Sequence, residues 1–118
     1  MAASLSVYDY ILNTSTGLKI AERFTVSRTG AHEHHGVIAV GTSEEELTIH
    51  ADIGSLGAWK FINLDDTNFV EIGPATTVYQ CALPAGQSFR GYGPDALASF
   101  FLKADTASID LEFHFWEA

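Results

Sequence analysis

An all-β fold, one antiparallel β-sandwich with an extended amino-terminal segment, is what this sequence predicts. Three observations lead there. Apolar residues alternate with polar ones instead of recurring every three to four positions. Ten glycines, eight Phe and four Tyr match the composition of short strands joined by tight turns. Turn signals arrive roughly every eight to twelve residues, which is the spacing of a sandwich.

The elements follow in chain order. Residues 1–20 are dense in Ser, Thr and Asn, and Val7, Tyr8, Tyr10, Ile11 and Leu12 do not alternate cleanly. This stretch reads as a first edge strand or as an arm lying across a neighbouring subunit, and residues 21–118 as the sandwich domain. Phe24 and Val26 alternate with Arg23, Thr25 and Ser27; Leu47 and Ile49 alternate with Glu46, Thr48 and His50. In Ala58–Leu64 the pattern changes phase: Trp59 and Phe61 share one face, Ile62 and Leu64 the other, which suggests a β-bulge or burial on both sides. Tyr79, Cys81 and Leu83 form another apolar row. The last segment is the clearest strand, with Ile109, Leu111, Phe113 and Phe115 facing a core and Asp110, Glu112 and His114 facing water.

Between these segments stand Thr29-Gly30, Gly41-Thr42-Ser43, Gly54–Gly57, Asp65–Asn68, Gly73-Pro74, Pro84-Ala85-Gly86 and Gly91–Pro94, all rich in turn-forming residues. They predict roughly seven or eight short strands, a jelly-roll-like count. Two single-turn helices are also expected, one over Pro94–Ala98 and one where Ser43 caps Glu44-Glu45-Glu46.

Composition removes several functions. Fifteen Asp and Glu against six Lys and Arg give a formal net charge of -9, and the cations are scattered, which argues against nucleic acid or an anionic membrane as partner. No stretch approaches the ~20 apolar residues of a membrane-spanning helix. A single cysteine, Cys81, excludes an intrachain disulfide framework.

The candidate chemistry is thin. His32 and His34 share a face if their segment is extended, so they are weak candidates for a metal pair. His-x-His followed by Pro84-Ala85-Gly86 invites comparison with the cupins. The comparison fails at Val37, Ile38 and Ala39, where a cupin has its glutamate, and at Phe89, where it has a further histidine. Glu44-Glu45-Glu46 lacks the spacing of a calcium loop, and adjacent Asp65 and Asp66 are turn formers rather than a catalytic pair. The histidines read instead as an exposed turn or contact surface, and Cys81 as a small buried hydrophobe. No catalytic residue and no cofactor is expected.

Gly41–Leu47, Trp59–Gly73, Leu83–Gln87, Leu102–Ala107 and the closing strand, in this order and spacing, resemble a loose group of small virion structural proteins of tailed bacteriophages. The resemblance covers about two thirds of the chain. It implies a non-enzymatic capsid decoration (cement) protein of the virion, assembled in the host cytoplasm, whose partners are the major capsid protein and itself, as a homotrimer. A tail, neck or receptor-facing component is the alternative, and a cupin-like metal-binding protein a more distant one. Expected interface residues are Tyr8, Tyr10, Ile11 and Leu12 of the arm, His34 and His35, and Tyr92 in the Gly91–Pro94 loop.

Overall fold

The computed structural model describes residues 3–12, 14–17, 19–28, 30, 32–95 and 97–118, with backbone alone over 3–7, 9–12, 20–28 and 93–95. The described residues form ten strands: β1 (Ala3–Leu12), β2 (Lys19–Arg28), β3 (Glu33–Val40), β4 (Glu45–Thr48), β5 (Leu56–Asn63), β6 (Val70–Gly73), β7 (Cys81–Leu83), β8 (Ser88–Asp95), β9 (Ser99–Ala104) and β10 (Ile109–Glu117). They make two four-stranded antiparallel sheets, ordered β3-β10-β5-β8 and β4-β9-β6-β7, and a separate hairpin, β1-β2.

The hairpin pairs in register from Ala3 opposite Arg28 to Leu12 opposite Lys19. The Phe24–Val26 alternation therefore belongs to a strand that pairs with β1 and with neither large sheet. Residue 20, where the sequence suggested a division, falls inside β2. The radius of gyration is 15.3 Å, above the ~13.5 Å of a compact chain this long, as an extended hairpin beside a body requires.

The core lies between the two sheets. Strand alternation sends Val40, Leu56, Phe61, Leu111, Phe113 and Phe115 inward from one sheet and Leu47, Val70, Ile72, Leu83, Phe100 and Leu102 inward from the other. Phe61 is fully buried and meets Phe100 edge-on at 4.9 Å and Phe115 at 5.7 Å, while Phe100 and Phe115 stack at 5.5 Å. Aromatic pairs of this kind contribute about 0.5–1.5 kcal/mol each beyond their area burial, so the rings tie the two sheets together.

Four expectations need correction. No helix forms among the described residues: Glu45–Thr48 is strand β4, because alternation buries Leu47, and one capped turn lacks the cooperativity to compete. Residues 97–98, in the second expected helix, carry no regular structure. Gly91–Pro94 is not a turn but the middle of β8. A side chain at Gly91 would overlap the Trp59 indole, so glycine there makes room for a cross-strand ring, and Pro94 is tolerated because β8 is an edge strand. Finally, the bulge in β5 lies at Leu56–Ala58, and phase then holds through Asn63. Ile62 is half-buried on the outer side and Leu64 is 50% exposed.

The inward position after Phe61 is thus filled by Asn63, fully buried. Its amide donates to the carbonyls of Asn68 (2.9 Å) and Leu83 (3.1 Å), and its side-chain oxygen accepts from the Asp65 N–H at 3.0 Å. One side chain therefore satisfies three backbone groups, two in the 64–69 loop and one at the end of β7.

Candidate interaction surface

The outer face of the β3-β10-β5-β8 sheet is built by register alone. Reading across the strands, one row is Glu33, Trp116, Ala58, Tyr92. The next is His35, His114, Lys60, Arg90, and the third Val37, Glu112, Ile62, Ser88. A fourth carries Ala39 and Asp110, with Leu64 joined by its N–H to the Asp110 carbonyl at 2.9 Å. Of the five large apolar side chains that stand exposed among the described residues, Val37, Leu64 and Tyr92 lie on this face. The other two are Tyr8 and Val78.

Three rings stand side by side here. His35 stacks on His114 across the strands at 5.8 Å, and His114 on Trp116 along β10 at 5.7 Å. The His114 Nε2 lies 3.0 Å from a Glu112 carboxylate oxygen. A shallow depression of about 210 Å³ is lined by Glu33, His35, His114, Phe115 and Trp116. Small-molecule pockets are deeper and hold roughly 300–1,000 Å³, so this depression is smaller than a usual ligand site.

The expected residues separate. His34 and His35 lie on a strand, not a turn, and their side chains take opposite sides of it. His35 is on the outer face, with Tyr92 two strands beyond His114. His34 points the other way, its ring 5.0 Å from Phe113 and 5.6 Å from His50. Its Nδ1 accepts the His50 backbone N–H at 3.3 Å. Burial first, then the neighbouring imidazoles of His50 and His35, hold the His34 pKa below its ordinary value of 6.5. Tyr8 is exposed on the hairpin. The side chains of Tyr10, Ile11 and Leu12 lie outside the described residues.

His32 and His34 do not converge. His32 precedes β3, and its Nδ1 meets Glu117 at 3.0 Å. Glu117 also accepts the Gly54 N–H at 3.2 Å, and these partners, Gly54 first and then His32, hold its carboxyl below the usual carboxylate range. Among the described residues no group of three or more His, Cys, Asp or Glu is placed to hold a metal ion. Cys81 is half-buried against the core, and burial raises its thiol pKa.

No family model matches this chain. No curated protein and no solved structure matches it significantly either. The site must therefore be read from its own geometry.

The other outer face differs in kind. On the β4-β9-β6-β7 sheet Glu46, Phe101 and Gly73 share a row, and Lys103 lies opposite Glu71. The loop after β6 folds back so that Val78 covers Gly73, where no side chain fits. Glu44 pins that loop by accepting the Thr77 N–H at 2.8 Å and the Tyr79 hydroxyl. Tyr79 is consequently pushed up to about 12, chiefly by that bond to Glu44. Thr77 holds a positive φ of 57°, a strained setting for a β-branched residue.

Sequence reasoning missed Lys60, Arg90 and Glu112 as surface partners and Glu44, Asn63 and Glu117 as clamps. Lys60 and Arg90 are 30 residues apart, and only the β5-β8 register brings them together. Glu117 closes onto a residue 85 positions away.

Proposed function

We propose that this chain is a non-enzymatic structural protein of a tailed-phage virion, acting as a capsid decoration protein that adheres to the shell. The resemblance of Trp59–Gly73 and its companions to such proteins supplies the reading. The observation that carries it is the hairpin β1-β2, a pair of ten-residue strands that among the described residues joins neither large sheet and that carries the exposed Tyr8. A strand pair without a sheet to join is marginal alone and gains stability by lying on a partner. Contacts of this kind, repeated over many copies, add up even when each is weak.

The strand orders β3-β10-β5-β8 and β4-β9-β6-β7 support the finer fold reading, a jelly roll. In each sheet the strands interleave as when two Greek keys wrap round one core. Such a body offers two broad faces and two loop ends for adhesion.

The test is to purify particles, separate heads from tails and quantify this chain in each by mass spectrometry. The reading expects it in heads at a fixed ratio to the major capsid protein. Presence only in tails replaces decoration with the tail or receptor-facing role, and absence from particles contradicts both.

A further inference from the structure

The connection between β4 and β5, residues 49–55, is fastened at its front and at its rear by two different side-chain acceptors. At the front, the His50 N–H donates to Nδ1 of His34 at 3.3 Å. The Ile53 N–H closes a turn onto the His50 carbonyl at 2.9 Å, and the Ile53 side chain is buried in the core. At the rear, the Gly54 N–H donates to Glu117 at 3.2 Å, and the Ala118 N–H donates to the Ser55 carbonyl at 2.7 Å. Just ahead of the turn, the Ile49 N–H donates to the Ala98 carbonyl at 2.9 Å.

We propose that residues 50–53 form a proton-operated flap: a proton on His34 releases the His50 N–H, and the turn swings out between its anchored ends at Ile49 and Gly54, uncovering Ile53. The inference stands apart from the virion reading. The chemistry follows from which ring nitrogen is used. A neutral imidazole has one accepting nitrogen and one that carries a proton. A backbone N–H can only donate, so Nδ1 of His34 is the acceptor and the ring proton sits on Nε2. A further proton from solvent therefore goes to Nδ1. Two donors then face each other, and the His50 N–H loses its partner. Turns held by few hydrogen bonds open locally without unfolding the body.

The surroundings of His34 set when this happens. From β10 the rings of Phe113 and Phe115 meet it, at 5.0 Å and 5.8 Å. From the turn comes His50, ring to ring at 5.6 Å. The His50 Nδ1 accepts the Asp52 N–H at 3.1 Å and lies 3.7 Å from the Asp52 carboxylate. On its own strand Glu33 and His35 take the opposite face, and His32, just ahead of β3, is engaged by Glu117 from the end of β10 at 3.0 Å. Burial, then His50 and His35, hold the His34 pKa below 6.5, so the accepting ring prevails at neutral pH and is lost as pH falls through the lowered value. Glu117 is held below its ordinary 4.5, by the Gly54 N–H first and then by His32. It goes on accepting until pH falls through its own lowered value, so mild acid opens the front and leaves the rear fastened.

Nuclear magnetic resonance of the full chain, titrated from about pH 7.5 to about pH 5, tests this. Exchange protection of the His50 N–H, corrected for the intrinsic effect of pH on exchange, should fall about tenfold, the worth of one hydrogen bond. The fall should follow the titration curve of the His34 ring, while protection at Gly54 and Ala118 holds. A soluble paramagnetic probe should broaden the Ile53 methyl signals only at the acid end. His34→Asn, whose side-chain oxygen replaces Nδ1 as acceptor but does not titrate, should keep His50 protected and Ile53 shielded throughout. His50→Gln keeps the backbone N–H and removes the neighbouring imidazole, so the response should persist and move to higher pH. Constant His50 protection, equal loss at Gly54 and Ala118, or Ile53 shielded at both ends would each overturn the proposal on the wild-type chain alone. A response that survives in His34→Asn, or that His50→Gln abolishes, would overturn it as well.

Discussion

The two sheets of the sandwich are held by different means. The β3-β10-β5-β8 sheet has strands of eight and nine residues and presses Trp59, Phe61, Phe89, Phe113 and Phe115 against the core. The β4-β9-β6-β7 sheet has strands of four, six, four and three residues. Beside its short ladders, polar clamps hold the loops: Asn63 on the Leu83 and Asn68 carbonyls, Asp65 on the Thr67 and Asn68 N–H groups, and Glu44 on the 77–79 loop. The difference teaches where a surface can be rigid. The aromatic-backed sheet offers an outer face built on long strands rather than on loops, and that face carries exposed apolar and mixed-charge rows.

The largest break should come at the ring cluster. Phe61→Ala should cost about 3–5 kcal/mol in urea unfolding, because Phe61 is fully buried and contacts rings of both sheets. Survival of wild-type stability would mean that the aromatic sheet is not the rigid one. Asn63→Ala should cost about 1–3 kcal/mol by leaving the Leu83 and Asn68 carbonyls without their amide donor. Amide exchange should then quicken first around β7 and residues 64–69, and equal loosening of both sheets would erase the contrast drawn above.

Gly91→Ala, on the edge of the aromatic sheet, should cost about 1–3 kcal/mol by overpacking and should change tryptophan fluorescence as the Trp59 ring moves. An unchanged emission spectrum would place the indole elsewhere. The smallest effect is that of pH. His34 is held below 6.5 by burial and by His50 and His35, so its contribution is complete above that value and declines as pH falls through the lowered one. The urea midpoint should drop between pH 7.5 and 5, and His34→Phe should flatten that slope; an equal slope in both proteins would assign it to other groups.

Much of the aromatic sheet was legible in the sequence, and for a physical reason. Along β10 the burial of Ile109, Leu111, Phe113 and Phe115 against Asp110, Glu112 and His114 is a local, period-two signal. The strand β8 was hidden because Gly91 and Pro94 carry turn chemistry, while their reasons for being in a strand, the Trp59 ring and an open edge, come from elsewhere in the chain. Helix capping at Ser43 was a true local signal overruled by the burial of Leu47. The outer face of that sheet was legible only in part: His35 and Tyr92 stood out in the sequence, but Lys60, Arg90 and Glu112 join them through pairing, which alternation along one strand does not encode.

Under the proposed function the protein works by adhesion, and the outer face of the long-stranded sheet is proposed as one of its contact surfaces. Hydroxyl-radical footprinting of the dispersed and the associated protein measures this directly, since aromatic side chains report their own shielding. The account predicts that Trp116 and Tyr92 lose reactivity on association while Phe101 and Val78, on the opposite face, keep theirs. Shielding of Phe101 and Val78 with Trp116 and Tyr92 unchanged would contradict it.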